Sequence, residues 1–573
     1  MKSLLIITAA LFSFFTFAQS PTPSWINMED GLQSKVLAVD EFGNSYVGST
    51  FAGTINLEID SVLVPLTSLG ASDILIQKLD AIGNCIWAYR CGGPEHDFIG
   101  DIAVDGNGDV IVTGQFKATI SFGITSLSPE DEWDGFVLKL NSSGGLLWVK
   151  QLKGQDDELI KSISVVESGE IYLCGSYNGE LDLSDFGNQA PTYTSNGSFD
   201  MFVVNISSAG VYEWSKSMGG VGPDHAFELI AIHDGVDLLY ELFVVGSFSN
   251  TVEFGSPGSI LLTSNVTSDG CLIKFNYLEE VIEVHAFEGA NIQCTNLALE
   301  TLEGGWSEEA VNIFIGGTFN VDVDMDPGSA VVSASANGVN HDVFIVRLNQ
   351  SLDYMWSTHF GDIGPDYLNS MLVNDNGNLF ISGDFVGDIQ LIPNPPFNTL
   401  TSSLQNGYGI CVAMFQPFFM TDPAEIIWSE AIVSQATTLT NGGSIALDLA
   451  GNLYLVGFTE GAVDFGTNGQ SNILSPQTMN SAGFVVKYGD SPIGIHENEP
   501  TTISVYPNPA SQYLTVNSTE LIKSIDLIDV VGKTHLSTKN SSNFFVGDVP
   551  SGTYFLVVKT ESGKEIVEKL IIE

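Results

Sequence analysis

The sequence is poor in basic residues, in cysteine and in known catalytic motifs, and each shortage excludes a class of protein. Only 19 lysine and arginine residues stand against 69 acidic residues, for a net charge of −50. A field of that sign repels phosphates, which argues against nucleic-acid binding. The six cysteines are too few for a disulfide scaffold and form no Cys/His cluster, which argues against structural zinc. No GxSxG, HExxH or Walker motif is present, so the common hydrolase and nucleotidase signatures are missing.

Long apolar runs and helical periodicity are absent after the first 20 residues. Those residues begin with Lys2, continue as an apolar run from Leu4 to Phe17 and end in a small-residue cleavage site at Ala18. The run is shorter than the ~20 residues that span a membrane. We therefore predict a signal peptide over 1–18, and an exported mature protein without a transmembrane segment.

Three motifs recur in fixed order along the chain. The first is an apolar run that ends in glycine, at Gly48, Gly114, Gly175, Gly246, Gly317, Gly383 and Gly457. The second is an acidic residue followed by apolar alternation, at Asp73, Asp134, Asp200, Asp269 and Asp342, with weaker copies at Tyr408 and Ala482. The third is a tryptophan strand, at Trp87, Trp148, Trp214, Trp356 and Trp428, with Val284 in the fourth copy. The sequence thus contains seven copies of one unit.

Each unit predicts four short strands, which in the first copy are 35–40, 44–51, 73–79 and 85–90. Four-stranded units repeated radially form a β-propeller. The intervals of 61 to 74 residues between the motif glycines exceed the ~40–50 residues of common propeller repeats. The surplus lies between the second and third strands. We predict an all-β protein with a seven-bladed β-propeller over 19–490.

The ends of this region predict how the ring closes. The last copy has no tryptophan strand after residues 484–490, whereas an unassigned strand around Trp25 precedes the first copy. We therefore predict that the N-terminal strand pairs with 484–488 and completes the seventh blade. An open solenoid leaves this N-terminal strand unexplained.

A linker over 491–502 separates this region from a tail of different character, residues 503–573. Residues 19–490 carry 59 acidic and 12 basic residues, whereas the tail carries 8 and 6. Short alternating strands separated by Asn-Ser and Ser-Gly turns predict a small β-sandwich of the immunoglobulin-like kind. The two regions are predicted to be separate domains.

The tail contains VYPNPA, IDLIDVVGK, PSGTYFLVV and the ending EKLIIE, in that order. It thereby resembles the type A C-terminal sorting domain of the type IX secretion system of Bacteroidetes. The residues that match the family's motifs are Tyr506, Pro507, Asn508, Pro509, Gly532, Gly552 and Tyr554. The chain departs from the family at Glu573, where a basic residue is common.

This resemblance implies the type IX machinery as a partner and a route through the periplasm to the cell surface or the medium. It also implies cleavage of the tail. The repeats themselves resemble the bacterial β-propeller (SBBP-like) repeats of large secreted proteins of the same bacteria. Those repeats have no general activity assigned to them.

Two groups of residues are candidate sites. Asp322, Asp324 and Asp326 alternate within NVDVDMDPG, as carboxylates of a calcium loop do, although the acids are partly lost in other copies. His96 and His225 adjoin Asp97 and Asp224, as in an acid–base or metal site, but a related segment has Tyr367 instead. Calcium is the only cofactor that the sequence suggests. For the histidines a turn between blades is the preferred interpretation.

Degenerate repeats without a catalytic motif favour a secreted or surface-exposed, non-catalytic binding or adhesion module for a glycan or a protein. The alternative is a secreted hydrolase or lyase acting on polysaccharide or protein, with its site at the central opening of the propeller. A purely structural adhesin is a third interpretation. The sequence thus favours a non-enzymatic role but leaves catalysis open.

Overall fold

The computed structural model describes most of the chain beyond residue 20. The described residues are 21–233, 240–255, 260–276, 278–300, 312–338, 340–362, 364–374, 376–391, 399–401, 408–416, 425–434, 440–467, 471–477, 481–489, 503–506, 510, 513–518, 522–529, 533–539, 543–547, 549–560 and 565–572. The predicted signal peptide (1–18) and linker (491–502) lie outside them. The chain divides into two compact units, Met1–Ile493 and Gly494–Glu573.

Within the described residues, the first unit contains seven antiparallel sheets with four main strands each; two of them are extended to six strands by the hairpin of the following sheet. Sheet 1 consists of Leu32–Val39, Ser45–Phe51, Asp73–Leu79 and Cys85–Cys91. Sheet 2 consists of Asp97–Val104, Val110–Phe116, Asp134–Leu140 and Leu146–Leu152. Sheet 3 consists of Glu158–Val165, Ile171–Tyr177, Asp200–Ile206 and Tyr212–Gly220. Sheet 4 consists of His225–His233, Tyr240–Phe248, Asp269–Phe275 and Val281–Phe287.

The remaining three sheets follow in the same order. Sheet 5 consists of Gln293–Glu300, Asn312–Phe319, Asp342–Leu348 and Tyr354–Phe360. Sheet 6 consists of Tyr367–Val373, Leu379–Val386, Tyr408–Gln416 and Glu425–Ser434. Sheet 7 consists of Thr440–Leu447, Leu453–Thr459, Ala482–Tyr488 and, as its fourth strand, Pro23–Asp30. The predicted pairing of the N-terminal strand is confirmed, because Trp25 lies opposite Lys487 and Met28 opposite Phe484.

A short hairpin occupies the surplus residues between the second and third strands of each sheet. The hairpins are Thr54–Ile59 with Val62–Thr67, Ile120–Phe122 with Thr125–Leu127, Glu180–Asp182 with Thr192–Thr194, Thr251–Phe254 with Ile260–Thr263, Asp322–Asp324 with Ser333–Ser335, Asp388–Gln390 with Thr399–Thr401, and Val463–Asp464 with Ile473–Leu474. The third also contains the 3-10 turn Ser184–Phe186. Several hairpins pair with the preceding sheet, as at Gly219 with Glu253 and Val433 with Asp464. They therefore fasten one sheet to the next.

The middle strands of each sheet are buried on both faces. The third strand of sheet 2, DGFVLKL, is buried at all seven positions, whereas its fourth strand, LLWVKQL, is only partly buried. A strand covered on both faces needs apolar residues at consecutive positions, because neither face meets water. This is why the third strands read as near-continuous apolar runs. All six cysteines are buried with free thiols, at Cys85, Cys91, Cys174, Cys271, Cys294 and Cys411.

The repeated Asp-x-x-Gly-Asn phrase forms a capped turn between the first and second strands. In sheet 1 the Asp40 Oδ1 atom accepts hydrogen bonds from the backbone N–H groups of Phe42 (3.0 Å) and Asn44 (2.9 Å). Gly43 has φ +76°, a left-handed conformation that glycine adopts without strain. Lys78 of the third strand places its ammonium 4.8 Å from the Tyr46 ring centre and 3.9 Å from Asp40. The contacts of this motif are therefore those of a scaffold element.

Seven buried apolar clusters connect successive sheets, including sheet 7 with sheet 1. In the cluster that joins those two, Tyr454 and Val456 of sheet 7 pack with Val47 of sheet 1. Across the same junction the Trp25 indole N–H donates to the Ala81 carbonyl oxygen over 3.0 Å. The Gly31 N–H donates to the Ser481 carbonyl oxygen over 2.8 Å. The N-terminal strand thus completes sheet 7 and contacts sheet 1.

The second unit contains two antiparallel sheets around one core. One sheet pairs Ile503–Tyr506, Tyr513–Ser518 and Asn543–Phe545; the other pairs Thr534–Lys539, Ile522–Asp529, Gly552–Thr560 and Glu565–Ile572. Leu514 and Val516 of the first sheet pack with Leu527 and Leu556 of the second. In neither unit does any described helix have both the length and the apolar character that crossing a bilayer requires.

Candidate functional site in the central cavity

A cavity of about 580 Å³ is lined by the first strands of all seven sheets of the first unit. Side chains from each of these strands reach its wall, for example Lys35 from sheet 1, Asp101 from sheet 2 and Asn369 from sheet 6. The volume lies within the ~300–1,000 Å³ that is usual for small-molecule sites. The cavity is the candidate functional site.

Each lining strand has a β-bulge at the same place. The register with the second strand shifts between Ser34 and Val36 in sheet 1, and between Ile160 and Ser162 in sheet 3. A bulge inserts an unpaired residue and re-aims its side chain. The bulges of sheets 2 and 7 contain two residues each. The residues that occupy the bulges form a ring around the cavity, the bulge ring: Lys35, Gly100, Asp101, Lys161, Phe227, Thr295, Asn369, Gly443 and Ser444.

Glycine occupies two positions of this ring because neighbouring strands approach closely there. A Cβ atom on Gly443 would lie 2.3 Å from the Lys35 carbonyl oxygen. A Cβ atom on Gly100 would lie 2.8 Å from Thr113 Oγ1 and 2.9 Å from the Ile160 carbonyl oxygen. Gly100 thus contributes no side chain to the ring between Lys35 and Lys161, because the neighbouring strands occupy the space that a Cβ atom would need.

Lys35 and Lys161 are the basic members of the bulge ring. Both side chains are exposed, and their surface faces a cavity surrounded by protein. The pKa of Lys35 is lowered by desolvation and partly restored by Asp101. The pKa of Lys161 is lowered by desolvation and by the charge of Lys35. The charge of Lys35 thus acts on Lys161 across the cavity wall.

These two lysines differ from most basic residues of the first unit. Seven of the twelve lysine and arginine side chains between residues 21 and 489 form ion pairs with acidic side chains. Among the described residues, neither the Lys35 nor the Lys161 ammonium group takes part in an ion pair or a side-chain hydrogen bond. Both ammonium groups are therefore available to a ligand.

The carboxyl groups of the cavity, in contrast, bind the protein backbone. Asp101 accepts hydrogen bonds from the backbone N–H groups of Ile163 (2.9 Å) and Ile102 (2.8 Å). Glu228 accepts one from the backbone N–H of Leu297 over 2.5 Å. Burial raises the pKa of Asp101 to about 6 and that of Glu228 to about 8. These acids connect neighbouring first strands and leave the cavity less negative than the protein surface.

Aromatic and neutral polar side chains complete the lining. Phe98 is 44% exposed and Phe227 is partly exposed, which is unusual for phenylalanine side chains that line an internal cavity. Thr295, Asn369 and Ser444 add hydroxyl and amide groups that both donate and accept hydrogen bonds. Apolar surfaces with a few charged and polar groups are typical of a binding site for a small polar organic molecule.

The predicted calcium residues lie in the outer hairpin of sheet 5. Asp324 Oδ1 accepts hydrogen bonds from the backbone N–H groups of Val332 (2.9 Å) and Asp326 (3.1 Å). Asp326 Oδ1 accepts one from the Gly328 N–H (2.8 Å), and Asp322 Oδ1 accepts one from the Ser335 hydroxyl (2.6 Å). Within the described residues no group of three or more His, Cys, Asp or Glu side chains is arranged to hold a metal ion. Calcium binding here stays a prediction.

The histidine segments bind local partners. The Nδ1 atoms of His96 and His225 lie 2.9 Å from the hydroxyl oxygens of Ser72 and Ser176 respectively. The adjacent carboxylates cap loops: Asp97 and Asp224 each accept a backbone N–H hydrogen bond of 2.7 Å, from Gly93 and Gly220. These contacts are those of a turn between sheets, the preferred interpretation of the segments.

Buried carboxyl groups also meet where the first strand of one sheet adjoins the third strand of the preceding sheet. Glu158 of sheet 3 is 0% exposed, and neither of its carboxyl oxygens has a hydrogen-bond partner among the described residues. Desolvation, together with the charge of Asp134 in sheet 2, raises the pKa of Glu158 to about 10. Asp97, Asp224 and Asp366, each at or beside the start of a first strand, have pKa values raised to about 7 by burial. These junctions therefore favour the protonated acids.

The residues of the sorting motif are described only in part. Tyr554 is 5% exposed, donates its hydroxyl hydrogen to the Pro550 carbonyl oxygen over 2.7 Å and packs against His535. Gly552 begins the strand of Tyr554 and is exposed, and Tyr506 ends the strand Ile503–Tyr506. Pro507, Asn508, Pro509 and Gly532 lie outside the described residues.

Sequence reasoning missed the bulge ring. Strand prediction from sequence assumes that successive side chains alternate between the two faces of a sheet. It cannot locate the extra residue of a β-bulge, which turns a side chain toward the cavity. One signal was available: Lys35 and Lys161 occupy equivalent positions in first strands of a strongly acidic region. Aligning the seven copies at their first strands would have placed the two lysines in register.

The chain is similar to several known proteins over much of its length. The chain is 22% identical over 482 residues to an uncharacterized WD repeat-containing protein of Acanthamoeba polyphaga mimivirus, covering 74% of this chain and 34% of that protein. The match thus spans about a third of the viral protein. Among solved structures, the RRP9 WD40 repeats align with a TM-score of 0.39 and 11% identity, over 82% of this chain and 98% of that one.

Two further solved structures align over most of their own length. The extracellular domain of a putative one-component system from B. thetaiotaomicron gives a TM-score of 0.19 and 9% identity, over 95% of this chain and 74% of that one. A Synechocystis apocarotenoid oxygenase mutant gives a TM-score of 0.30 and 10% identity, over 68% of this chain and 95% of that one.

The tail gives a specific match. Residues 504–573 match the family described as the secretion system C-terminal sorting domain. This confirms the resemblance found in the motifs of the tail, and it implies export to the cell surface or the medium and contact with the type IX machinery. The chain ends in a type IX sorting domain.

Proposed function

We propose that this protein is a non-catalytic binding module, a closed seven-bladed β-propeller that the type IX secretion system delivers to the cell surface or the medium. The propeller comprises 19–490, behind a signal peptide over 1–18 that directs it through the periplasm. The tail, 503–573, is an immunoglobulin-like β-sandwich that serves as the sorting signal. The ligand is a glycan or a protein.

The central cavity carries this proposal. Its lysines are available to a ligand, whereas its acids are hydrogen-bonded to backbone N–H groups that hold neighbouring strands together. A rigid scaffold that offers side chains at one pocket is a common arrangement for binding proteins. Export by a sorting tail places such a pocket where extracellular ligands are found.

A glycan and protein array probed with the purified full chain tests the proposal. We expect discrete binding that is lost when Lys161 and Asn369 of the cavity are both replaced by alanine. The matched control replaces the exposed residues Lys117 and Asn107, which lie away from the cavity. Absence of any ligand on a broad array, or loss of binding only in the control, contradicts a binding function of the cavity.

A secreted hydrolase or lyase is the second candidate, because Glu228 in the cavity has a raised pKa of about 8. A carboxyl group that is protonated at neutral pH is a suitable general acid. Incubation with polysaccharide and protein substrates distinguishes the two. An activity abolished by Glu228→Gln supports the enzyme, whereas binding without turnover supports the module.

A further inference from the structure

The two lysines of the bulge ring identify the chemistry of the ligand. Resting on the proposed binding function of the cavity, we propose that Lys35 and Lys161 together bind the carboxylate of an acidic saccharide residue whose ring enters the central cavity. Ammonium groups are compact charged donors, and hydrogen bonds between them and carboxylates are shorter and stronger than neutral ones. Both lysines line the same cavity, so one carboxylate in that cavity faces both ammonium groups.

The charge distribution supports an anionic group at this point. The protein carries a net charge of −50, so its outer surface repels anions. Inside the cavity desolvation lowers the pKa of Lys161, and the charge of Lys35 lowers it further. Asp101 already binds two backbone N–H groups, and Glu228 binds one. A carboxylate bound in the cavity relieves the repulsion that Lys35 exerts on Lys161.

The rest of the lining matches a sugar ring. Phe98 and Phe227 offer apolar faces to the C–H surface of a pyranose, and both line the same cavity as the lysines. Thr295, Asn369 and Ser444 supply groups that donate and accept, as sugar hydroxyl groups do. A polyanionic chain lying across the acidic outer surface is repelled, so the ligand is a single acidic residue or the end of a chain.

Calorimetric titration of the full chain with methyl β-D-glucuronide tests this, with methyl β-D-glucoside as the uncharged match. We expect the glucuronide to bind and the glucoside to bind about tenfold more weakly or not at all, since a charged hydrogen bond is lost. Lys35→Gln and Lys161→Gln should each weaken glucuronide binding by about tenfold or more. Lys161→Arg should retain binding, and Lys117→Gln, which removes an exposed lysine paired with Glu132, should leave it unchanged.

Amine labelling of the unaltered chain gives a second readout that does not depend on the folding of variants. Reductive methylation followed by peptide mass spectrometry should show Lys35 and Lys161 protected by the glucuronide, and Lys117 not protected. Equal binding of glucuronide and glucoside, no binding of the glucuronide, or unprotected cavity lysines overturns the proposal. If neutral glycans or proteins still bind on the array, the binding module stands and only its acidic ligand is wrong.

Discussion

Glu158 should make the protein less stable as the pH rises, which is the reverse of ordinary acid denaturation. Its pKa in the folded protein is raised from an ordinary value near 4.5 to about 10, because the carboxyl group is fully buried beside Asp134. The folded state therefore holds a proton that the unfolded state releases above pH 4.5. The stability associated with this proton is complete below pH 4.5 and is lost progressively as the pH rises toward 10.

The size of the effect follows from that shift. Each pH unit between the two pKa values changes the free energy of unfolding by about 1.4 kcal/mol, so from pH 4.5 to pH 8 this one group removes about 5 kcal/mol. Glu158→Gln keeps the shape of the side chain and removes the titration. The buried amide itself costs about 1–3 kcal/mol where it lacks partners, but that cost does not depend on pH.

Denaturant unfolding of the unaltered protein and of Glu158→Gln, from pH 5 to pH 9, measures the difference in slope. We expect the free energy of unfolding of the variant to fall less steeply with rising pH. The two slopes should differ by about 1 kcal/mol or more per pH unit. The control is Glu167→Gln, because Glu167 is exposed in the turn that follows the same first strand of sheet 3. If the Glu158 and Glu167 variants show the same pH dependence as the unaltered protein, Glu158 is ionised in the fold and the reasoning is refuted.

Three further predictions concern the scaffold and the tail. A chain that begins at Gly31 loses the fourth strand of sheet 7 together with the Trp25–Ala81 hydrogen bond. Its free energy of unfolding should fall by at least about 3 kcal/mol. An unchanged melting temperature contradicts closure by this strand. Asn452→Ala removes the 2.8 Å hydrogen bond to Asp448. This change, and Asn378→Ala at the equivalent turn, should each lower the free energy of unfolding by about 1 kcal/mol and leave ligand binding intact. The opposite result makes the repeated Gly-Asn turn a binding element. A chain that lacks residues 503–573 should keep the melting transition of the first unit and remain in the periplasm. The same residues fused to a secreted reporter should carry the reporter to the cell surface. Normal surface delivery of the shortened chain contradicts sorting by the tail. The exported protein should begin near Gln19 and yield few peptides beyond residue 503 in mass spectrometry.

Much of the fold can be predicted from the sequence because its strand and turn patterns are local and are repeated along the chain. The third-strand run from Asp134 to Leu140 is apolar at nearly every position, which a strand covered on both faces requires, and the same pattern recurs in other copies. Asp40 and Gly43 define a turn whose hydrogen bonds lie within five residues. Even the long-range pairing of Trp25 with the last copy could be predicted, because that copy has no tryptophan strand of its own.

The tertiary structure alone decided the site. The sequence drew attention to Asp322, Asp324 and Asp326 because carboxylates at alternate positions resemble a calcium loop, but their side chains cap backbone groups of one hairpin. Lys35 and Lys161 are 126 residues apart in the numbering and belong to different copies. They share a cavity because β-bulges at equivalent positions of two first strands direct both side chains toward that cavity. A property of that kind depends on the arrangement of all seven sheets, which no single segment of the sequence specifies.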